Sequence, residues 1–397
     1  MTLEIAFVGT GPDPDDPGRD GYAMAYRHAN AYLKRDDCEL IACADLVTEN
    51  AEAFADTFDL DAFYEDAEQM VTERRPDVVS VCVPPKAHAQ VVTTLARTRI
   101  PKAIHCEKPM AATWGGCKEM AEVCEENGVR LTINHQRRFG EPFRKAKQFL
   151  DKGEIGELIR VEIAEANLFD AGSHPLDLAG YFTDQAHPEW VLAGLDYREE
   201  NIWFGSHNEN QAVVQWVYDS GVYGLASTGE GEDFIGCYVR LRGSEGAIEI
   251  GVDDGPTLRI RSDGAGWRTV QTDGENIHGP PAPGLVKAAT RKVSDAVTRR
   301  NAPRTGPSYI DRSVKDAVEA VQSGGRSELC AENILQSTEL IFAAWESVRR
   351  RGRVDLPLEI EDNPLESMVE ADVFDFDEGE DEGTPAQPPE SRGTFHS

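Results

Sequence analysis

The 397-residue chain contains no run of 18 apolar residues, so nothing in it reads as a membrane-crossing helix. Its eight cysteines, at positions 38, 43, 82, 106, 117, 124, 237 and 330, form no C-x-x-C pair. That removes the usual zinc and dithiol spacings and leaves reduced, buried, structural thiols as the expectation. Basic residues are scarce: 40 Lys and Arg stand against 71 Asp and Glu, a net charge of -31. A polyanion such as nucleic acid or an anionic membrane surface is repelled by such a field and is not expected as a partner. The deficit is not confined to the acidic end, because residues 361–397 hold 12 Asp and Glu against one Arg and leave -20 on the first 360. A whole-surface acidic bias of this kind points to a protein working in high salt. No internal repeat is present. The first residues, Met1-Thr2-Leu3-Glu4, run directly into a strand pattern, which suggests a soluble cytoplasmic protein.

What is present suits two domains, since single cores rarely exceed about 250–300 residues. In the first third, apolar β-branched runs at Leu3–Val8, Leu40–Ala44, Val78–Val83, Ala103–Cys106 and Val129–Ile133 alternate with amphipathic segments at 22–34, 48–58, 86–98 and 113–127. Continuous apolar strands separated by helices imply a parallel sheet covered on both faces. Thr113 and Gly128 sit where an N-cap and a C-terminal helix glycine belong.

From residue 136 the pattern changes. A helix at 142–151 precedes longer alternating strands at Leu158–Ala166, Ala212–Tyr218, Val222–Thr228, Tyr238–Arg242 and Ala247–Ile250, with helices returning at 284–300, 309–323 and 330–350. The expected fold is an α/β N-terminal Rossmann domain over 1–134 and an α+β C-terminal domain over 135–362 with a large, mostly antiparallel sheet. Residues 363–397 read as an acidic disordered tail. The basic segment 284–300 reads as a solvated helix face.

The first strand ends in Gly9-Thr10-Gly11, where glycines let the backbone approach a pyrophosphate at a helix N-terminus. The third glycine of the usual fingerprint is displaced by an acidic insert at 12–20, expected to loop outward as a lid; Ala25 takes its place in a second alignment. Asp45 then lies twenty residues on, placed to accept hydrogen bonds from a ribose and to repel a 2′-phosphate. NAD is therefore expected over NADP.

Two further runs carry chemistry: Glu107-Lys108-Pro109, and Asp170-Ala171-Gly172-Ser173-His174-Pro175-Leu176-Asp177. Oxidising a secondary alcohol needs a base for the hydroxyl proton, a positive charge beside the developing alkoxide and an oriented hydride acceptor. His174 suits the base, with an unperturbed pKa near 6.5. Lys108 would hold the reacting oxygen, its pKa lowered by an oxidised nicotinamide. Asp170, one turn earlier if the segment is helical, would orient the imidazole. Asp177 shares that face and could meet a sugar hydroxyl. The spacing of Asp170, His174 and Asp177 also permits a metal-ligand reading, although no fourth ligand appears and no metal is expected.

The chain resembles the glucose–fructose oxidoreductase/inositol dehydrogenase (Gfo/Idh/MocA) family over roughly residues 3–360. The resemblance rests on Val81-Cys82-Val83-Pro84-Pro85 with His88, Cys106-Glu107-Lys108-Pro109, Asn134-His135-Gln136-Arg137-Arg138-Phe139, Gly153-Glu154-Ile155-Gly156 and Asp170-x-Gly172-x-His174-x-x-Asp177. It implies catalytic roles for Lys108, Asp170 and His174, and a nicotinamide site lined by Pro84, His88 and Glu107. It further implies a substrate pocket bordered by Asn134 and Arg138, a sugar or polyol substrate and a homodimer or homotetramer. The alternatives are a catalytically idle nucleotide-binding sensor or assembly protein of the same fold, and a metal-dependent hydrolase or lyase.

Overall fold

The computed structural model describes residues 2–14, 23–280 and 307–374. Six strands build a parallel sheet: β1 (Leu3–Val8), β2 (Cys38–Ala44), β3 (Phe63–Tyr64), β4 (Val78–Val81), β5 (Ala103–Cys106) and β6 (Arg130–Ile133), in the order β3-β2-β1-β4-β5-β6. The order reverses between β1 and β4, and ligands of doubly wound sheets bind beyond the strand ends at that crevice. Ile5, Ala6 and Phe7 are fully buried, as expected of a strand covered on both faces. The Thr113 side chain caps the helix Trp114–Glu126 by accepting from Gly116 N, and Gly128 takes φ +71° after it. β3 and the helix Ala67–Arg74 were not anticipated. β3 has only two residues, too few to show a period, and Asp66 caps the short helix by accepting from Gln69 N.

The second sheet has nine strands, in the order Arg268–Thr269, Leu258–Ser262, Gly246–Val252, Cys237–Gly243, Leu158–Glu165, Tyr223–Thr228, Gln211–Tyr218, Pro188–Asp196, Val354–Asp355. One parallel pair, Leu158–Glu165 beside Tyr223–Thr228, interrupts an otherwise antiparallel sheet. One face is covered by the helices Ser173–Phe182 and Ala331–Arg350, whose Phe342 and Trp345 pack with Phe169 at ring separations of 5.7–6.3 Å. Gly224 is required beneath Trp216, because a Cβ there would lie 1.8 Å from the indole.

The other face carries a cross-strand row in register: Leu192, Gln215, Leu225, Glu162, Arg240, Glu249 and Arg259. Glu162 and Glu249 side chains are only 4% exposed, and Arg160, Arg240, Arg242 and Arg259 pair with them at 2.5–2.8 Å.

Two later segments cross back to the first sheet. The helix Tyr309–Ser323 starts in a capping box between Ser308 and Asp311, and its Ile310, Val314 and Val318 enter the cluster of Leu3, Phe7 and Tyr32. Residues 358–363 lie along the start of the helix Trp114–Glu126, with Trp114 Nε1 donating to Leu358 O and Gly115 N to Glu361 O.

The tail departs from its expectation near the start. Asn363 caps a helix over Pro364–Glu370, with Leu365 and Met368 buried. A pair of apolar residues three apart suffices where a core already waits for them; the acidic composition beyond concealed it. Residues 375–397, the segment 284–300 and most of the insert 12–20 lie outside the described residues.

Candidate active site

A cavity of about 2330 Å³ opens where the two sheets face each other. Its wall runs from Gly9, Gly11 and Asp45 through Pro84 to Lys108, Asp170 and His174. Gly9 takes φ +81°, and a Cβ there would come within 2.6–2.9 Å of Val83. The backbone thus approaches the end of β4 in a way only glycine permits. Asp45 Oδ2 accepts from Gly11 N at 2.9 Å and Thr10 Oγ1 at 3.2 Å, while its Oδ1 accepts from Val47 N at 2.9 Å. The carboxylate at the end of β2 therefore fixes the glycine loop.

Lys108 follows β5 and meets the other half of the molecule. Its Nζ lies 2.8 Å from Asp170 Oδ1 and 3.0 Å from Asp170 O, with both side chains about one-fifth exposed. The helix begins only at Ser173, so Asp170 precedes it and does not sit one helical turn below His174. Its carboxylate holds the lysine, which corrects the expectation that it orients the imidazole. His174 is buried and its Nδ1 has no hydrogen-bond partner. Burial, reinforced by Arg137 and Lys108, pushes its pKa well below the ordinary value, so the ring is neutral at pH 7. The His135 ring stands edge-on to it at 5.4 Å.

Three expected substrate residues do not reach the cavity wall. Arg138 and Asp177 form a bidentate pair, Nε to Oδ2 and Nη2 to Oδ1 both at 2.6 Å, with each side chain 1% exposed. Asn134 is spent on Glu107 Oε1 at 2.6 Å and on Ser313 Oγ at 2.7 Å. Arg137 lines the cavity instead, bonded to Glu165 at 3.3 Å and to the Tyr238 hydroxyl. With Asp170 committed to Lys108 and Asp177 to Arg138, the spacing that suggested a ligand set has no shared vacancy. Among the described residues no group of three His, Cys, Asp or Glu is placed to hold a metal.

His88, expected on the nicotinamide wall, lies behind it with no exposure. Its Nε2 faces Val83 O at 2.8 Å and its Nδ1 faces Pro109 O at 2.9 Å, which ties the end of β4 to the turn carrying Lys108. Burial pushes its pKa down although both carbonyls favour the cation. Glu107 does line the cavity, and its carboxylate is backed by His28 Nε2 at 2.7 Å. Burial opposes charge on both, but the Cys82 sulfur and Glu107 raise His28, while His28, Asn134 and Lys108 lower Glu107. The pair is ionic.

His28 was missed because it occupies the buried face of the helix Met24–Tyr32 beside Ala25 and Ala29, where only its polarity gives a signal. Asn208 and Glu209 were also missed: Asn208 Oδ1 accepts from Asp170 N at 3.2 Å and Glu209 Oε1 from Leu168 N at 2.6 Å. Thr228 Oγ1 and Trp345 Nε1 complete the Glu209 carboxylate, whose burial raises its pKa to about 7.

The family model for an oxidoreductase family with an NAD-binding Rossmann fold matches residues 18–135. Inositol 2-dehydrogenase of Salmonella typhimurium is 29% identical over 211 residues, 51% of this chain and 58% of that protein. The chain thus spans under two thirds of the length of the first curated relatives it matches. Inositol 2-dehydrogenase/D-chiro-inositol 3-dehydrogenase of Shouchella clausii is 25% identical over 83% of this chain and 94% of its own. The solved structure of an oxidoreductase from Agrobacterium radiobacter in complex with NAD+, L-tartaric acid and magnesium superposes with a TM-score of 0.67 at 18% identity, over 89% of this chain and 98% of that one. A six-stranded doubly wound sheet beside a larger, mostly antiparallel one, with a Glu-Lys-Pro turn set against an Asp-x-x-x-His segment, accords with these matches, and residues 18–135 are similar to the Gfo/Idh/MocA oxidoreductase family.

Proposed function

We propose that this chain is an NAD-dependent oxidoreductase acting on a secondary alcohol of a sugar, sugar acid or cyclitol. One observation carries the reading: Lys108, held by the parallel-sheet half, and Asp170 with His174, held by the other half, line one cavity together with the glycine loop and Asp45. The crevice fits a dinucleotide, since Gly9 admits a close backbone approach and Asp45 offers a carboxylate where a ribose would lie. Pro84 and Glu107 line the nicotinamide end, and the Asp45 carboxylate disfavours a 2′-phosphate. When bound, the nicotinamide supplies the site for hydride.

The protein's own residues handle the proton and the charge. Neutral His174 lines the cavity and accepts the hydroxyl proton during oxidation at Nε2, in the tautomer that keeps its proton on the sealed, unpartnered Nδ1. Lys108 uses two of its three donors on Asp170 and keeps one for the reacting oxygen. Asp170 is a positioning residue for the ammonium, and Arg137, whose charge is felt at His174, offers donors to the substrate from the cavity wall.

Screening sugars, sugar acids and cyclitols with NAD and NADP, in low and molar salt, tests this by the absorbance of the reduced cofactor. Turnover with NAD that is lost on Lys108→Met supports the reading; no reduction with any compound sinks it. The acidic composition supports a high-salt cytoplasm as the setting. Leu192, Val213 and Tyr223, each 44–45% exposed on the open sheet face, support a homo-oligomer paired through that face. Light scattering on Leu192→Glu checks it, with a monomer expected.

A further inference from the structure

The loop between the strands Pro188–Asp196 and Gln211–Tyr218 carries a small hairpin in which Ile202–Trp203 pairs with Ser206–His207. Its two turn residues, Phe204 and Gly205, have φ of 47° and 77°. A tight hairpin of this hand demands positive φ at both positions and normally uses Asn, Asp or Gly. A phenylalanine there is a bulky residue in left-handed backbone, a conformation that costs stability and persists where something fixes it.

The aromatic rings of Trp203 and Phe204 stack on each other, with centroids 5.5 Å apart and planes at 26°. They are not core: Phe204 is 37% exposed, and both line the cavity that holds Lys108, Asp170 and His174.

The base of the hairpin is tied to the catalytic segment. Asn208 and Glu209, immediately after it, accept from Asp170 N and Leu168 N. His207 N donates to Glu366 Oε1 at 3.1 Å, and Glu366 also reaches Lys86 Nζ at 3.5 Å. Lys86 follows Pro84 and Pro85 beyond the end of β4, and a Cβ on Gly205 would lie 3.9 Å from its Cδ, so the tip of the hairpin reaches the β4 end of the crevice. The cavity, at about 2330 Å³, also exceeds the roughly 300–1,000 Å³ of a site for one drug-sized ligand.

We propose that Trp203 and Phe204 form a subsite for a second ring, so that the substrate is a glycoside carrying a further sugar or aryl ring beyond the ring that is oxidised. The inference rests on the oxidoreductase reading above and names the substrate class for that same site. A stacked aromatic pair offers a flat, polarisable face and few hydrogen bonds, which suits the C–H face of a pyranose or an aryl ring. Holding the strained tip on the same loop that positions Asp170 fixes the second ring relative to the reacting carbon.

The test uses the full chain with NAD and compares, for each sugar that turns over, the free sugar, its methyl glycoside, its phenyl glycoside and a disaccharide. Phenyl glycoside and disaccharide are expected to show KM about tenfold below the methyl glycoside. Trp203→Ala is expected to raise KM for the ring-bearing compounds about tenfold more than for the methyl glycoside, with kcat falling less than KM rises. Phe204→Asn relieves the turn, so its melting temperature should rise while the same KM preference shrinks. Calorimetric titration of the phenyl glycoside into wild type and Trp203→Ala gives a second readout that does not need turnover.

Equal KM for methyl and phenyl glycosides, or equal effects of Trp203→Ala on both, overturns the subsite while leaving the oxidoreductase reading intact. Failure of every compound to reduce NAD overturns the oxidoreductase reading and the subsite with it.

Discussion

Two ion pairs bind the segment 170–177 to the rest of the molecule, and they are built for opposite purposes. Arg138 grips Asp177 through two parallel bonds with both side chains 1% exposed. Lys108 meets Asp170 through a single ammonium at the cavity wall, with about one-fifth of each side chain open. The planar guanidinium and its bidentate geometry allow no rearrangement, and a second ligand cannot enter. The ammonium is a point charge with a donor to spare, so an incoming hydroxyl can share it. The same segment is thus locked at one end and left reactive at the other, and the difference follows from residue type and burial rather than from distance.

Four measurements break or sharpen that contrast. Arg138→Leu strands Asp177 as a buried charge and should cost about 3–5 kcal/mol in urea unfolding, with no specific change in the pH dependence of turnover. Lys108→Met should leave the unfolding midpoint close to wild type but lower kcat/KM by roughly 10²–10³-fold, and Lys108→Arg should not restore it. If instead Lys108→Met unfolds the protein, the distinction between the two pairs collapses.

The third concerns the support beneath Asp170. Glu209 has a folded pKa raised from 4.5 to about 7 with burial as the main cause, so the folded state binds the extra proton between those values. Its contribution favours folding below pH 4.5 and is lost as pH rises through 7, an order of about 3 kcal/mol from the linkage slope. Glu209→Gln should remove that slope, so the variant gains on wild type between pH 5 and pH 8; parallel stability curves would refute the assignment. His174 has the opposite sense, since its depressed pKa favours folding above 6.5 and loses that contribution as pH falls below it. The smallest effect belongs to Asp170→Asn, which keeps the backbone carbonyl contact to Lys108 and should lower kcat about tenfold.

Much of the frame was legible because physics writes it locally. Leu3–Val8 and Ala103–Cys106 are almost wholly apolar runs, broken only by Glu4 and His105, and runs of that kind belong to strands buried on both faces. The alternation of Gln211–Tyr218 likewise announced a sheet with unlike faces. The site was legible as a set of residues but not as a set of partners.

Arg137 and Arg138 are neighbours on a 3₁₀ turn, where consecutive side chains diverge by about a third of a revolution, and nothing in the sequence says which of the two meets the cavity. Asp170 was assigned to His174 by helical spacing, which failed because the helix starts three residues later. His28 finds Glu107 across 79 positions, a contact that only the folded sheet brings about. The helix at 364–370 was hidden by the charge around it, although Leu365 and Met368 have the spacing of a buried stripe.

The return of Tyr309–Ser323 to the first sheet, together with the run 358–363 along Trp114–Gly115, means that the chain passes between the halves more than once. Severing it at residue 134 would strip Ile310, Val314 and Val318 from a core they help fill. The nucleotide half is therefore not a detachable module, and swapping it for that of a relative would require transplanting three separate stretches of polypeptide.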